Sequence, residues 1–231
     1  MRLYLIRHGE SLWNAQDRIQ GHGDSPLSDA GKEQAVRLAR HLAGVSLGAL
    51  YTSRLLRARQ TAEMIGQATR VPVTVRPDLH EIGLGAWEGK TPAEVNAHFE
   101  NGFEAWRRQP TSVHIPDAEP IASFRQRAVA AIEAVIRDAR DRARVPTVGG
   151  RAKEVPSDGS RSAAESAAIV THGGVIISYL AHVLRADFDF LLRRLQINNT
   201  GVTILEALDA EHPSVLAVND LQHLNHHGVA I

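Results

Sequence analysis

Two histidines in this chain share one local setting. Leu3-Tyr4-Leu5-Ile6-Arg7-His8-Gly9-Glu10 is a short apolar run that ends on Arg7 and His8, with Gly9 free to turn the backbone away. Ala168-Ile169-Val170-Thr171 runs in the same way into His172-Gly173-Gly174. Imidazole changes charge near neutral pH, and its neutral form is a nucleophile. Two imidazoles at one sheet edge, beside an arginine, would suit the handling of an anion. Arg54, Arg57 and Arg59 stand where a helix is predicted to begin. There they oppose the helix dipole at a cost of roughly a few tenths of a kcal/mol or more, which an anion bound at that end would offset. The turn-rich stretch from Pro77 to Gly89 adds two carboxylates, Glu81 and Glu88.

These groups need elements to hold them. The run ending at His8 and the run ending at His172 read as buried strands, and the carboxyl ends of strands are where open α/β sheets bind ligands. Ser28 is the predicted N-cap of a helix with apolar positions Ala35, Leu38, Ala39 and Leu42. A strand at Ala49–Thr52 follows, and Ser53 is predicted to cap the next helix, with Leu55, Ala58, Ala62 and Ile65 inward. Val71–Val75 is a third strand. Thr91-Pro92 opens one or two short helices rich in aromatics, Phe99, Phe103 and Trp106. A long amphipathic helix spans about 120 to 140, after which residues 141–166 lose apolar period and turn rich in Pro, Gly and Ser. That segment is expected to be a polar inserted loop within one domain, 1–231, in which 80–120 forms a small cap on the substrate side. Helices over Val175–Leu184 and Phe188–Leu195 precede two strands, Val202–Leu208 and Val215–Asn219. Strands alternating with helices predict a three-layer α/β sandwich, a mainly parallel sheet with helices on both faces.

Composition narrows the function classes. The 26 basic and 26 acidic residues cancel, which argues against a general nucleic-acid binder, whose affinity would come from basic excess. Without cysteine there is no disulfide and no thiolate metal site. Arg7 interrupts the first apolar run too early for a signal-peptide core, and no stretch approaches the roughly 18 apolar residues of a membrane span, so a cytoplasmic protein without membrane partners is expected. His223, His226 and His227 in the tail lack a zinc spacing, and a surface or packing role is expected for them. Gly21-His22-Gly23 lacks both the lysine of a P-loop and the last glycine of a dinucleotide fingerprint.

Arg7-His8-Gly9-Glu10-Ser11, Asn14, the Ser53–Ala62 segment, Glu81 with Gly85-Ala86-Trp87-Glu88-Gly89, and Thr171-His172-Gly173-Gly174 together resemble the histidine phosphatase superfamily, the phosphoglycerate mutase-like family. Gln20-Gly21-His22-Gly23-Asp24, Asn198-Asn199 and Asn219-Asp220 are similar to its lesser signatures. The resemblance implies phosphoryl transfer, which needs a nucleophile in line with the leaving oxygen, positive charge around the equatorial oxygens and an acid for the leaving group. His8 is then the expected nucleophile. Arg7, Arg57 and His172 supply charge, His172 as an imidazolium. Glu81, preferred over Glu88 by its place in the motif, is the acid, since a carboxyl beside a dianionic phosphate is pushed toward its protonated form. Asn14, Gln20, Gly21, His22 and Gly173 are the expected phosphate or substrate contacts. The scheme requires no metal and no cofactor, and its partner is a small phosphorylated metabolite; a homodimer is left open.

The family contains mutases and phosphatases, which differ in whether a returning substrate hydroxyl or water attacks the phosphohistidine. Its mutases carry a longer insertion after the acidic loop, with basic and tyrosine side chains. Here the span from Glu88 to Glu119 is compact, has no tyrosine, and is made apolar by Phe99, Phe103 and Trp106. A phosphatase of small monoesters with a partly hydrophobic leaving group is therefore expected. The alternatives are a mutase dependent on 2,3-bisphosphoglycerate and a phosphate-recognising regulatory module without turnover. Ile115-Pro116-Asp117-Ala118-Glu119-Pro120 departs from the Pro-Gly-Gly-Glu-Ser of many family phosphatases, at the substrate edge near Glu119.

Overall fold

The structure, a computed structural model, describes residues 1–144, 166–207 and 213–225. Six strands form one sheet: β1 (Arg2–Arg7), β2 (Ala49–Thr52), β3 (Val73–Val75), β4 (Ser166–Thr171), β5 (Val202–Glu206) and β6 (Ser214–Asp220), in the order β3-β2-β4-β1-β5-β6. β3, β2, β4 and β1 are parallel, and β5 runs against both of its neighbours. The register between β1 and β4 sets Arg7 opposite Thr171, so His8 and His172 leave the carboxyl edge of the sheet side by side.

Alternation along β1 explains the layers. Leu3 and Leu5 join one core with Phe124, Ala128, Ile132 and Val135 of α6 (Ile121–Arg144) and with Ile176 and Leu180 of α7 (Gly173–Val183). Tyr4 and Ile6 face the other way, onto Leu38 and Leu42 of α2 (Asp29–Leu42) and Ala58, Ala62 and Ile65 of α3 (Leu56–Thr69). A third, smaller core of Trp87, Val95 and Ile115 binds together the 84–118 segment, which carries the short helices α4 (Pro92–His98) and α5 (Gly102–Arg108). One more short helix, α8 (Phe188–Arg194), follows α7, and α1 (Leu12–Ala15) follows β1.

Some local expectations hold and others shift. Ser28 caps α2, its hydroxyl accepting from Gly31 N–H at 3.0 Å, and Thr91 caps α4 in a reciprocal box with Glu94. Ser53 does not cap α3. That helix starts at Leu56 with Leu55 at its N-cap, and its first amide donates to Asp24, a carboxylate brought from the 20–24 loop. Asp24 therefore offsets part of the dipole cost of the arginines. The long helix runs one turn past 140, to Arg144, so the start of the presumed loop is helical and 145–165 lie outside the described residues. Both flanks of that segment sit at the amino edge of the sheet: Arg140 donates to the Ala207 carbonyl, Ala207 N–H donates to Met1, and Ser166 begins β4 opposite Arg2.

Candidate active site

The carboxyl edge of the sheet closes one side of a cavity of about 420 Å³. Arg7, His8, Asn14, Gln20, Gly21, Arg57, Glu81 and Gly173 all line it. His172 is fully buried beside it, its ring centroid 5.2 Å from that of His8.

His8 is held in one orientation. Its Nδ1 lies 2.7 Å from the carbonyl of Gly9, which can only accept, so the Nδ1 proton is fixed there and Nε2 carries the lone pair. Arg57 Nε donates to that Nε2 at 3.2 Å. Burial, reinforced by Arg57 and Arg7, holds the His8 pKa well below the usual histidine value, so the ring is neutral at physiological pH. His172 is neutral for the same reasons, with desolvation the largest. Against the expectation of an imidazolium there, burial and the neighbouring guanidiniums favour the neutral ring. Ser53 Oγ sits 2.8 Å from His172 Nε2 and accepts from Leu55 N–H. Nε2 is thus engaged with the hydroxyl, while Nδ1 is a buried atom with no partner among the described residues.

The arginines are placed by carbonyls. Arg57, 1% exposed, donates to Gly23 at 2.7 Å and Gly21 at 2.9 Å, which ties the 20–24 loop to α3. Burial lowers its pKa to about 10, so it keeps its charge. Arg7 donates to the Ile197 carbonyl at 2.6 Å. Arg54 is exposed and Arg59 pairs with Glu63 on the surface, so only one of the three helix arginines faces the cavity.

Glu81 lies on the loop after β3. Its Oε1 accepts from Ile82 N–H at 3.0 Å and its Oε2 from Gly174 N–H at 3.1 Å, the latter in the first turn of α7. Its own carbonyl is gripped by Arg127 of α6, which also donates to the carbonyls of Asp78 and His80 and to Glu119. Glu88 is elsewhere employed, its Oε1 accepting from the amides of His22 and Leu84. Asn14 Oδ1 accepts from Ser11 N–H at 3.2 Å and from Asn199 at 3.3 Å, which leaves its amide protons for the cavity. Gln20 accepts from Ser11 Oγ at 2.7 Å.

His22 is not part of the cavity lining. Its Nε2 is 3.0 Å from the Glu81 backbone carbonyl and its ring meets His80 edge-on at 4.6 Å. Among the described residues, His22, His80 and Glu119 are the group whose ligand atoms approach within 4.8 Å of one another. Glu119 is already paired with Arg127 at 2.7 Å, which places a guanidinium where a cation would have to go. His223 bonds Thr200 Oγ1 at 2.9 Å, a packing role, and His226 and His227 lie outside the described residues.

Sequence reasoning overlooked Arg127, a surface position by helical pattern, and the hydroxyl partner of His172. It also gave no role to Gly174, where a Cβ would stand 2.4 Å from Glu81 Oε1. The rest of the cavity is mostly apolar, with Arg18 and Gln196 as its polar exceptions. Leu84, Phe103, Trp106, Ile121, Phe188 and Leu192 form its upper wall.

A three-layer α/β sandwich with paired, neutral histidines and two arginines at its carboxyl edge defines a class of anion-handling α/β proteins. The model of the histidine phosphatase superfamily (branch 1) matches this chain over residues 3–149 and 143–221. The chain belongs to that superfamily. A protein named probable phosphoglycerate mutase GpmB from Escherichia coli is 35% identical over 137 residues, 58% of this chain and 62% of that protein. The chain thus spans less than two thirds of the length of that curated relative. Among solved structures, YhfR of Bacillus stearothermophilus superposes with a TM-score of 0.81 at 32% identity, covering 97% of this chain and 99% of that one. A mycobacterial glucosyl-3-phosphoglycerate phosphatase superposes with a TM-score of 0.76 at 27% identity, over 94% of this chain and 98% of its own. Among the described residues no helix is long and apolar enough to cross a membrane.

Proposed function

We propose that the chain hydrolyses small phosphate monoesters through a phosphohistidine on His8, without a metal. The observation that carries this reading is the His8 ring: neutral, with its Nδ1 proton held by the Gly9 carbonyl, and with Nε2 on the cavity side, where Arg57 Nε donates to it at 3.2 Å and has to turn to the phosphate oxygens before Nε2 attacks. Nε2 attacks phosphorus as the bond to the ester oxygen breaks and its electron pair leaves with the alcohol. Glu81 gives that oxygen a proton. The carboxylate then takes a proton from a water whose oxygen attacks phosphorus, and the nitrogen–phosphorus pair returns to Nε2. Arg7 and Arg57 balance the equatorial charge, with His172 and Asn14 as neutral donors.

Phosphatase rather than mutase is favoured by the largely apolar wall, in which the one further guanidinium, Arg18, is already engaged with the Gly89 carbonyl at 2.6 Å and with Glu94 at 3.7 Å. The mutase reading draws support from the name of the Escherichia coli relative. Hydrolysis of an aryl phosphate by the wild type and by His8→Ala tests the proposal, with an expected loss of at least about a thousandfold in the variant. Equal, near-zero release from both would favour a binding module. Bisphosphoglycerate-dependent interconversion of 2- and 3-phosphoglycerate that outpaces phosphate release from every ester tried would make the protein a mutase.

A further inference from the structure

The upper wall of the phosphate cavity has a second side. Trp106 and Ile121 line both that cavity and a neighbouring one of about 480 Å³, which opens between α6 and the 111–120 segment. Arg125 stands in this second cavity. Its guanidinium carbon lies 5.0 Å from the centroid of Phe188, and Phe188 itself lines the phosphate cavity, so one aromatic ring separates the cation from the site.

Arg125 is chemically unspent. Its Nε is buried without a hydrogen-bond partner, and among the described residues it enters no ion pair. The carboxylate that shares its cavity, Glu119, is held by Arg127 at 2.7 Å. The contact with Phe188 spends none of its N–H donors, the groups that match a carboxylate in two parallel bonds. Of the charged groups that line the cavity, Glu119 is paired with Arg127 and Arg125 is left without an ion pair; the buried Asp189 carboxylate behind its wall is held by Thr111 N–H and Oγ1.

On the hydrolase reading above, we infer that the second cavity takes the far end of the substrate. The alcohol part of the ester is apolar where it passes Phe188 and Trp106, and it ends in a carboxylate that Arg125 binds. The substrate class is therefore a phosphate monoester with a hydrophobic middle and a distal carboxylate.

The test compares phenyl phosphate with a series of 4-(ω-carboxyalkyl)phenyl phosphates of increasing chain length, on the wild type and on Arg125→Met, which removes the guanidinium and keeps an unbranched apolar chain at the position. The expected result is a KM about tenfold lower for one chain length than for phenyl phosphate, lost in the variant, with kcat and the phenyl phosphate parameters unchanged. No preference for any carboxylated ester in the wild type overturns the inference. So does an equal loss on both esters, which would make Arg125 a packing residue. Inhibition by the phosphate-free carboxylate that does not compete with phenyl phosphate would also overturn it, in favour of a separate effector site. If the wild type turns over no ester, the hydrolase reading has failed, and the subsite is read instead by calorimetric binding of the carboxylated ester to both proteins. Equal affinities there would dispose of it.

Discussion

The floor and the wall of the cavity are built on opposite principles. The floor consists of polar groups oriented chiefly by backbone: His8 by Gly9, Arg57 by Gly21 and Gly23, Arg7 by Ile197, Glu81 by Ile82 and Gly174. The wall is a satellite core of aromatic rings, Trp87 against Phe99 and Phe103, and Phe103 stacked on Trp106 at 6.1 Å, which position one another by packing alone. Hydrogen bonds to fixed carbonyls specify direction to within a few tenths of an ångström, as transfer chemistry needs. Packed rings specify volume and polarity, which sort substrates but tolerate change. The floor should therefore respond to small displacements in kcat, and the wall in KM.

The sharpest way to break that contrast is Gly174→Ala. A Cβ at this position would lie 2.4 Å from Glu81 Oε1 and 3.2 Å from Phe124 Cζ. The carboxylate is the end of a flexible side chain, so it moves and the fold survives. Loss of a positioned acid should lower kcat for an alkyl phosphate by about a hundredfold. With p-nitrophenyl phosphate, whose leaving group needs no proton, the loss should be much smaller. A uniform drop on both esters would mean that the methyl group disturbs the phosphate seat and not the acid.

How much of this contrast was legible in the sequence follows from the same physics. His8 and His172 were readable because a strand end followed by glycine fixes both the position and the direction of a side chain, and the β1–β4 register did the rest. Ser53 was misjudged by position: the helix begins three residues after it, too far for a cap, and the hydroxyl turns to His172 instead. His22 was unreadable because its neighbour across the loop, His80, and its target, the Glu81 carbonyl, are set by tertiary folding. The pull of His172 toward its neutral form was not readable because burial cannot be judged from a motif. The wall was legible only as composition, since aromatic residues in short helices say that a cluster forms and not which cavity it faces.

Trp106→Ala sharpens the comparison from the side of the wall. The indole stacks on Phe103 and borders both cavities, and removing it strips apolar contact from the alcohol part of a substrate. KM for an aryl ester should rise about fivefold, the loss of roughly 1 kcal/mol of apolar contact. The kcat should hold, and inhibition by vanadate, which occupies the phosphate seat alone, should be unchanged. A fall in vanadate affinity to match the KM would show that wall and floor are one mechanical unit.

The smallest effect belongs to a region that is neither floor nor wall. The segment between Arg144 and Ser166 joins α6 to β4, and both of its anchors lie at the amino edge of the sheet, where Arg140 reaches Ala207 and Ser166 stands opposite Arg2. His8, Glu81 and His172 are at the carboxyl edge, at the far end of strands six residues long. A strand of that length spans roughly 20 Å. Replacing residues 148–162 by a short Gly/Ser linker changes the entropy of closing the loop by about 1 kcal/mol or less, since that term grows only with the logarithm of length. Turnover should stay within a few-fold of the parent, and the thermal midpoint within a few degrees. A hundredfold loss with an intact fold would show that the segment acts on the site, either by reaching it or by organising an assembly of chains in which the site is completed.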